Sequence, residues 1–466
     1  MSILAAMVVP HPPIILPEVG RGEEKKIQST IDAYCEVTKR AVALKPDTIV
    51  ITSPHSVMYA DYFHISPGHS ARGNFKNFRA PQVELSVNYD TEFVNHLVDN
   101  AAVENLDAGT MGERSAELDH GTLIPIRFLE QAGVDFNKTR FVRIGLSGLS
   151  ASEHYKLGQL IARTSEELNR RVVFVASGDL SHKLKEDGPY DGFVKEGPIF
   201  DEEIMKYIAA GDFLSVLRMD GQLCRRAAEC GLRSFWIMTG ALDKKAVDCE
   251  KLSYEGTFGV GYGVAWLEVK GEDANRNFQV QLEKINNEEL AEMKSHEDEF
   301  VKLARLSLET YVKTHTKLSE LPEGLPAEML ERRAGTFVSL HKNGELRGCI
   351  GTFLPTTESI AEEIVQNAIS ACSRDPRFSP VTRAELDDIV YSIDVLSEPE
   401  RIFDLKKLDV KRYGVIVEHN GRRGLLLPDL EGIDTVEEQI AIAKRKANIP
   451  ANEAVNLWRF EVIRHH

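Results

Sequence analysis

The chain has 466 residues, of which 42% are hydrophobic and 27% are charged, and its formal net charge is −16. This composition excludes a largely disordered chain, and the length predicts two domains or a large domain with a smaller one. The acidic balance argues against a nucleic-acid partner, because a protein that binds phosphates needs a basic surface.

The sequence also argues against export and membrane insertion. No run reaches the roughly 18 to 20 apolar residues that a membrane helix needs. The N-terminal segment MSILAAMVVPHPP lacks the basic region and cleavage site of a secretory signal. Six cysteines are scattered without CxxC pairs, which indicates reduced thiols rather than disulfides or a zinc knuckle. We therefore expect a cytoplasmic protein without a membrane segment.

In the first half of the chain, apolar runs alternate with helix-like stretches. This alternation predicts a layered α/β domain whose sheet is buried on both faces, and ligands of such sheets collect where strands end. A glycine-rich segment at 253–269 predicts the closing strand or hairpin. The predicted strands are 3–9, 48–52, 141–145 and 172–176, and the predicted helices include 25–43 and 151–170.

The composition changes near Lys270, where a polar segment without apolar periodicity begins. We place the first domain at 1–270, a linker at 271–289 and a second domain at 290–466. The second domain is predicted to begin with an amphipathic helix at 297–314. Strands are predicted further on, at 336–340 and 389–396.

Four histidines of the first domain occupy related settings. His11 and His55 follow predicted strands in VPHPP and SPHS, His182 follows another apolar run in SGDLSH, and His120 lies in LDHG before a predicted helix. Neighbouring strand ends would bring these imidazoles into one crevice. A single histidine in such a place is also compatible with a hydrogen-bonded structural role. The histidines without this setting are interpreted as surface or packing residues: His64, His69, His96 and His154.

The third metal ligand would decide the chemistry if His11 and His55 bind a metal. A carboxylate suits iron(II) with open positions for substrate and dioxygen, whereas a third nitrogen or a thiolate favours zinc. The candidates are Glu229 and Cys230, in a helix-like stretch at 221–241, and Glu255 in SYEGTFG. The alternatives are a solvated glutamate and a small buried cysteine.

Together, the four histidine motifs resemble those of the class III extradiol ring-cleavage dioxygenases of the LigB type and of the related Memo family. The resemblance runs over roughly residues 3–268. It implies that His11 and His55 are metal ligands, that His182 is the catalytic acid/base beside dioxygen, and that His120 lies in the substrate pocket with a catalytic role.

The two families differ at the third ligand. In the dioxygenases a glutamate in a late helix completes the site, and Glu229 is the match. The Memo proteins carry a cysteine followed by a glycine at about this point, which matches Cys230. The resemblance thus implies iron(II) and cleavage of a catechol-like diol with dioxygen, or a Memo-like protein that binds zinc or copper without ring cleavage. Asp179 is interpreted as orienting the His182 ring or as capping a loop.

In the second domain, LRGCIGTF and DPRFSPVT resemble the AMMECR family over about residues 290–466. Cys349 is compatible with a thiol activated by Arg347 or with a buried structural cysteine. The segment SRDPRF predicts a turn in which Arg374 and Arg377 can pair with Asp375.

The order of the two domains resembles the fused proteins of the AmmeMemoRadiSam system. This resemblance implies a radical-SAM partner on a separate polypeptide, because the chain has no CxxxCxxC motif of its own. A homo-oligomer is also expected. The predicted fold class is α/β: a layered domain with a central, largely parallel or mixed sheet, followed by a smaller α+β domain.

Overall fold

The computed structural model describes residues 2–188, 190, 192–342, 345–430 and 432–466. The chain forms two compact units that divide between Glu283 and Lys284. None of the helices in these described ranges combines the length and the apolar run needed to cross a bilayer.

The first unit alternates strands and helices. Its elements, in chain order, are β1 Ile3–Val9, α1 Pro17–Gly20, α2 Gln28–Ala43, β2 Thr48–Ser53, β3 Phe63–His64, β4 Ser70–Phe75, β5 Ala80–Asn88, α3 Thr91–Val103, β6 Ala108–Gly109, α4 His120–Gln131, β7 Arg140–Gly145, α5 Ala151–Glu167, β8 Val172–Ser177, α6 Glu196–Ala210, α7 Phe213–Leu217, α8 Gly221–Ala227, α9 Leu232–Ala241, β9 Lys245–Glu255, β10 Tyr262–Glu272 and α10 Phe278–Ser295, whose last turns belong to the second unit.

A mixed six-stranded sheet forms the centre of the first unit, with strand order β7-β2-β8-β1-β10-β9. The first four strands in this order are parallel, and β10 and β9 complete one edge as antiparallel strands. The layered α/β domain with a largely parallel or mixed sheet is therefore confirmed. Because β1, β2 and β8 are adjacent and parallel, their carboxyl ends meet at one edge.

Alternate residues of the central strands face opposite helical layers. In β1, Ala6 and Val8 pack into the core that contains α5 and α9. Met7 packs on the other face, with Tyr34 of α2 and Phe128 of α4. Both faces of the sheet are covered, which explains why every residue of β2 and β8 is buried and apolar runs mark these strands in the sequence.

Helices α5 and α9 touch through two glycines. A Cβ atom on Gly240 would lie 1.9 Å from the carbonyl oxygen of Tyr155, and one on Gly158 would lie 2.0 Å from the carbonyl oxygen of Ile237. Two helix backbones in such contact leave no room for a side chain at either position.

We expect Gly240→Ala to lower the free energy of unfolding by about 1–3 kcal/mol, because the added methyl group must force the two helices apart. Urea denaturation followed by circular dichroism measures this change. Gly271→Ala is the matched control, since a Cβ atom there meets nothing within 4 Å. Equal midpoints for both variants would contradict the prediction.

The second unit is the smaller and contains antiparallel sheets with helices. Its further elements, in chain order, are α11 Glu299–Thr314, α12 Ala327–Glu331, β11 Thr336–Lys342, β12 Glu345–Gly351, α13 Ile360–Ser373, β13 Ile389–Leu396, β14 Glu400–Ile402, β15 Gly414–His419, β16 Arg422–Leu426, α14 Val436–Lys446, β17 Asn456–Phe460 and β18 Val462–His465.

Two four-stranded sheets organise this unit, with orders β12-β11-β13-β18 and β14-β17-β15-β16. Residues of α11 and α13, such as Leu308 and Ile364, share a core with Val338 and Ile393 of the first sheet. Helix α14 contributes Ala443 to the core of the second sheet. The smaller α+β domain predicted from the sequence is confirmed.

The polar segment at 271–289, for which we predicted a linker, is not irregular. It contains the end of β10 and the start of α10, and the boundary between the two units falls inside this helix. Phe278 is the one residue of α10 recorded as buried among those described. Because a helix that exposes nearly all its residues needs no apolar stripe, its sequence carried no helical periodicity to detect.

Candidate metal centre

Three histidines meet at the carboxyl edge of the central sheet. His11 follows β1, His55 follows β2, and His120 is the first residue of α4. One nitrogen from each ring lies within 4.8 Å of the other two, and the Nε2 atoms of His11 and His55 are 3.0 Å apart. Two nitrogen ligands in cis positions, each at a typical metal–nitrogen distance of about 2.1 Å, would lie about 3 Å from each other, as these two Nε2 atoms do. The donors present therefore fit a metal ion, and imidazole suits iron, zinc and copper.

A serine fixes the tautomer of His11. The hydroxyl of Ser177 donates to the carbonyl oxygen of Gly121 at 2.6 Å, so it accepts from Nδ1 of His11 at 2.9 Å. Nδ1 then carries the proton, and Nε2 presents its lone pair toward His55. A partner on the far nitrogen of a metal-binding imidazole orients the ring in this way.

Burial favours the neutral form of all three rings. Burial lowers the pKa of His11 well below its usual value, and the nearby His55 lowers it further. Burial also lowers the pKa of His55. The pKa of His120 falls to about 3, through burial and then through the charges of His55 and His11. Neutral imidazoles are the form that binds metal.

Asp119 places His120 beside the other two rings. Its carboxylate caps α4 by accepting from the backbone N–H of Thr122, and it also accepts from the hydroxyl of Ser53 at 2.6 Å. The buried Arg143 lies 4.0 Å from the same carboxylate. The role of Asp119 was not predicted, although an aspartate just before a predicted helix is a known capping signal.

His182 lies at the same cavity. Its Nδ1 donates to the carbonyl oxygen of Ala228 at 2.6 Å, because a carbonyl oxygen can only accept. In this tautomer Nε2 carries the lone pair and can accept a proton. The ring of Tyr190 packs edge-on against it, with centroids 4.6 Å apart.

Asp179 is hydrogen-bonded to His11 rather than to the ring of His182 that we considered in the sequence. Its Oδ1 accepts from the backbone N–H of His11 at 2.8 Å, and Oδ2 lies 4.0 Å from Nε2 of His11. Burial raises the pKa of this carboxyl to about 6. Asp179 therefore holds the backbone of a candidate ligand in place.

The candidate glutamates cap helices. The helix-like stretch 221–241 is two helices, because Ala228 adopts the left-handed conformation and ends α8. Glu229 lies in the break and accepts from the backbone N–H of Leu232 at 2.7 Å. Glu255 accepts from the N–H of Thr30 at 2.7 Å. Among the described residues, the cluster of possible ligands contains neither glutamate.

Cys230, in contrast, lies beside the cluster. Its Sγ is 3.7 Å from Nε2 of His11. A Cβ atom on Gly178 would lie 2.2 Å from Cα of Gly231, so the loop that carries Cys230 lies directly on the end of β8. Burial raises the pKa of the thiol well above its usual value, and the charges of Asp179 and Glu229 raise it further.

A cavity of about 520 Å³ opens above these groups. Its polar lining consists of the four histidines, Asp179, Tyr190 and Tyr262, and its apolar lining consists of Pro12, Pro13, Ile14, Phe78, Phe258 and Val260. This volume is typical of small-molecule sites. The histidines that we interpreted as surface or packing residues lie away from this lining: His64 and His154 are buried, His69 is exposed, and His96 pairs with Glu167.

In the second unit, Cys349 belongs to a hydrogen-bonded network. Its backbone N–H donates to Asp375, and the adjacent Arg377 holds the pKa of that carboxyl well below its usual range. Arg347 donates to Glu385 at 2.8 Å, and the hydroxyl of Ser339 contacts the sulfur at 3.2 Å. Arg347 is therefore engaged by Glu385, and Cys349 is partly exposed rather than buried.

Comparison with known proteins gives two family matches. The family described as the catalytic LigB subunit of aromatic ring-opening dioxygenase matches residues 5–265, and the AMMECR1 family matches residues 301–465. A protein of Clostridium acetobutylicum is 42% identical over 472 aligned residues, which cover 100% of this chain and 99% of the relative.

Other similar proteins match only part of the chain. A protein of Thermotoga maritima is 54% identical over 171 residues, or 36% of this chain and 98% of its own. A crystal structure of a Pyrococcus horikoshii protein is 35% identical, covers 35% of this chain and 88% of that protein, and has a TM-score of 0.33.

Proposed function

We propose a function from the premise that this chain belongs to the family of the catalytic LigB subunit of aromatic ring-opening dioxygenases and also contains an AMMECR1 domain. We propose that its first unit is an iron(II)-dependent dioxygenase for a catechol-like diol. One observation carries the proposal: the three clustered histidines and His182 line a single cavity with apolar walls. A protein that only stored a metal would need neither the fourth imidazole nor a pocket that fits an aromatic ring.

The residues divide into ligands and a base. His11, His55 and His120 would hold the metal. Three nitrogen ligands also suit zinc, so the choice of iron(II) rests on the family and is tested by the oxygen uptake below. The metal, when bound, would acidify the hydroxyl groups of a diol through its positive charge. His182 accepts a hydroxyl proton at Nε2, while the carbonyl oxygen of Ala228 holds Nδ1–H and fixes the ring. The imidazolium that results can return the proton later in the reaction.

The walls of the cavity support the same chemistry. Phe78 packs against the ring of His120 with centroids 5.2 Å apart, and Phe258 and Val260 provide further apolar surface. These side chains would hold an aromatic ring by packing.

We expect the iron(II)-loaded protein to consume one dioxygen molecule for each catechol under reducing conditions, and the zinc-loaded protein to consume none. An oxygen electrode with quantified metal content measures both. Full iron occupancy without oxygen uptake over a panel of catechols would overturn the proposed reaction.

A second candidate function is favoured by the position of Cys230. A thiolate that joined His11 and His55 would make a Memo-like zinc or copper site without ring cleavage. This function predicts that Cys230→Ser weakens zinc binding by at least about 100-fold, because a ligand is lost. The dioxygenase predicts that Cys230→Ser keeps its metal, and Glu229→Gln controls for disturbance of the same loop.

The proposal extends to location and partners. We propose that the protein works in the cytoplasm, and the six unpaired cysteines support a reducing compartment. Its substrates would be an aromatic diol and dioxygen. A separate radical-SAM protein and a second copy of the chain are the proposed protein partners, and the net charge of −16 supports the absence of nucleic acid among them.

A further inference from the structure

The cavity of the candidate metal centre is lined by the four histidines, Asp179 and two tyrosines, together with a set of apolar side chains. The histidines and Asp179 come from the strand ends and from the start of α4, and they form the floor. Ile14, Phe78, Phe258 and Val260 provide apolar wall. Among the described residues that line the cavity, none is a lysine or an arginine.

The charges around the floor follow the same pattern. Carboxylates lie beside the clustered histidines: Oδ2 of Asp179 is 4.0 Å from Nε2 of His11, and Asp119 directly precedes His120 at the start of α4. Arg143 donates to Ser66 and to the carbonyl oxygen of Glu117, which engages its guanidinium outside the cavity. Lys183 donates to the backbone oxygen of Tyr190 and does not line the cavity.

This arrangement sets the charge that a substrate can carry. The inference rests on the proposed function, in which the two hydroxyl groups of a diol face the histidines. A substituent on the opposite side of the aromatic ring then faces the apolar wall. A carboxylate there would lose its water without gaining a cation, and among the described lining residues only the hydroxyl groups of Tyr190 and Tyr262 would be left to donate to it, which is unfavourable.

We infer that the cavity selects an uncharged aromatic diol and discriminates against aromatic diols that carry a carboxylate. Phe258 and Val260 determine this specificity, because they occupy wall positions at which an arginine or lysine would recognise an acid. An uncharged substituent such as a methyl group or an ester fits the same wall through packing.

Equilibrium binding to the zinc-loaded full chain tests this inference without catalysis. Protocatechuate and its methyl ester are the probes, because they differ mainly in the charge of one group. We expect the ester to bind at least about tenfold more tightly by calorimetry at neutral pH, because only the acid must desolvate a charge. Equal affinities, or tighter binding of the acid, would overturn the inference.

Introducing a positive charge into the apolar wall gives the complementary measurement. We expect Phe258→Arg to tighten protocatechuate binding at least about tenfold and to weaken binding of the ester. Val103→Arg is the control, because this substitution adds the same charge outside the cavity. Val103 is 71% exposed and lies at the end of α3. An equal gain in both variants would overturn the inference, because affinity would then follow net charge.

Failure of the proposed function has a different signature. If neither probe binds to protein that holds its full complement of zinc, the cavity does not accept aromatic diols, and both the proposed reaction and this inference are overturned. If both probes bind equally well, only the inference about charge is overturned.

Discussion

Replacing His11 by alanine is expected to weaken metal binding by at least about 100-fold, because loss of even an outer hydrogen-bond partner of a ligand typically costs about 10- to 100-fold. His55→Ala should have the same effect, since the Nε2 atoms of the two rings are 3.0 Å apart and point at one position. Chelator competition combined with metal analysis of the purified protein measures the loss.

Two further variants make this experiment decisive. Ser177→Ala removes the group that fixes the tautomer of His11, and we expect an intermediate loss of about 10- to 100-fold. His96→Ala removes an imidazole that pairs with Glu167 on the surface, and its affinity should equal that of the wild type. A metal content unchanged in His11→Ala would exclude the proposed centre.

His182→Asn is expected to lower the turnover of an aromatic diol by about 100- to 10,000-fold while leaving metal affinity unchanged, which is the usual size of a general acid or base effect. An asparagine amide can still donate to the carbonyl oxygen of Ala228 in place of Nδ1. It has no group to replace the proton acceptor at Nε2. Single-turnover kinetics measured beside metal content separates the two properties.

The thermal midpoint of His182→Asn serves as the control for folding, and it should stay close to that of the wild type because the contact with Ala228 is kept. A variant that loses its metal would make His182 a ligand. A variant that retains full turnover would remove it from the proposed chemistry.

The sequence predicted the scaffold better than the details of the site. The apolar runs of β1, β2 and β8 are visible because both faces of these strands are buried, and parallel pairing of adjacent strands follows from the layered fold. His11 and His55 therefore had to lie near each other. His120 joins them because Asp119 caps α4, a local signal that was present in LDHG and was not used.

The candidates for the third ligand could not be ranked from the sequence for a different reason. Glu229 and Glu255 each accept from a backbone N–H at the start of a helix, and the sequence of a capping glutamate does not differ from that of a metal-binding one. The break between α8 and α9 was equally invisible, because it depends on the left-handed conformation of an alanine, Ala228. Glycine or asparagine would have indicated it.

The wide spacing of the three clustered histidines along the sequence affects the stability of the fold. His11, His55 and His120 together span more than a hundred positions of the chain and come together only when β1, β2 and α4 are assembled. An unfolded chain therefore offers no preformed site, so a bound ion would shift the folding equilibrium toward the native state. At a free concentration of 100 times the dissociation constant this linkage adds about 2.7 kcal/mol to stability. Cellular metal supply would thus govern the lifetime of the protein as well as its activity.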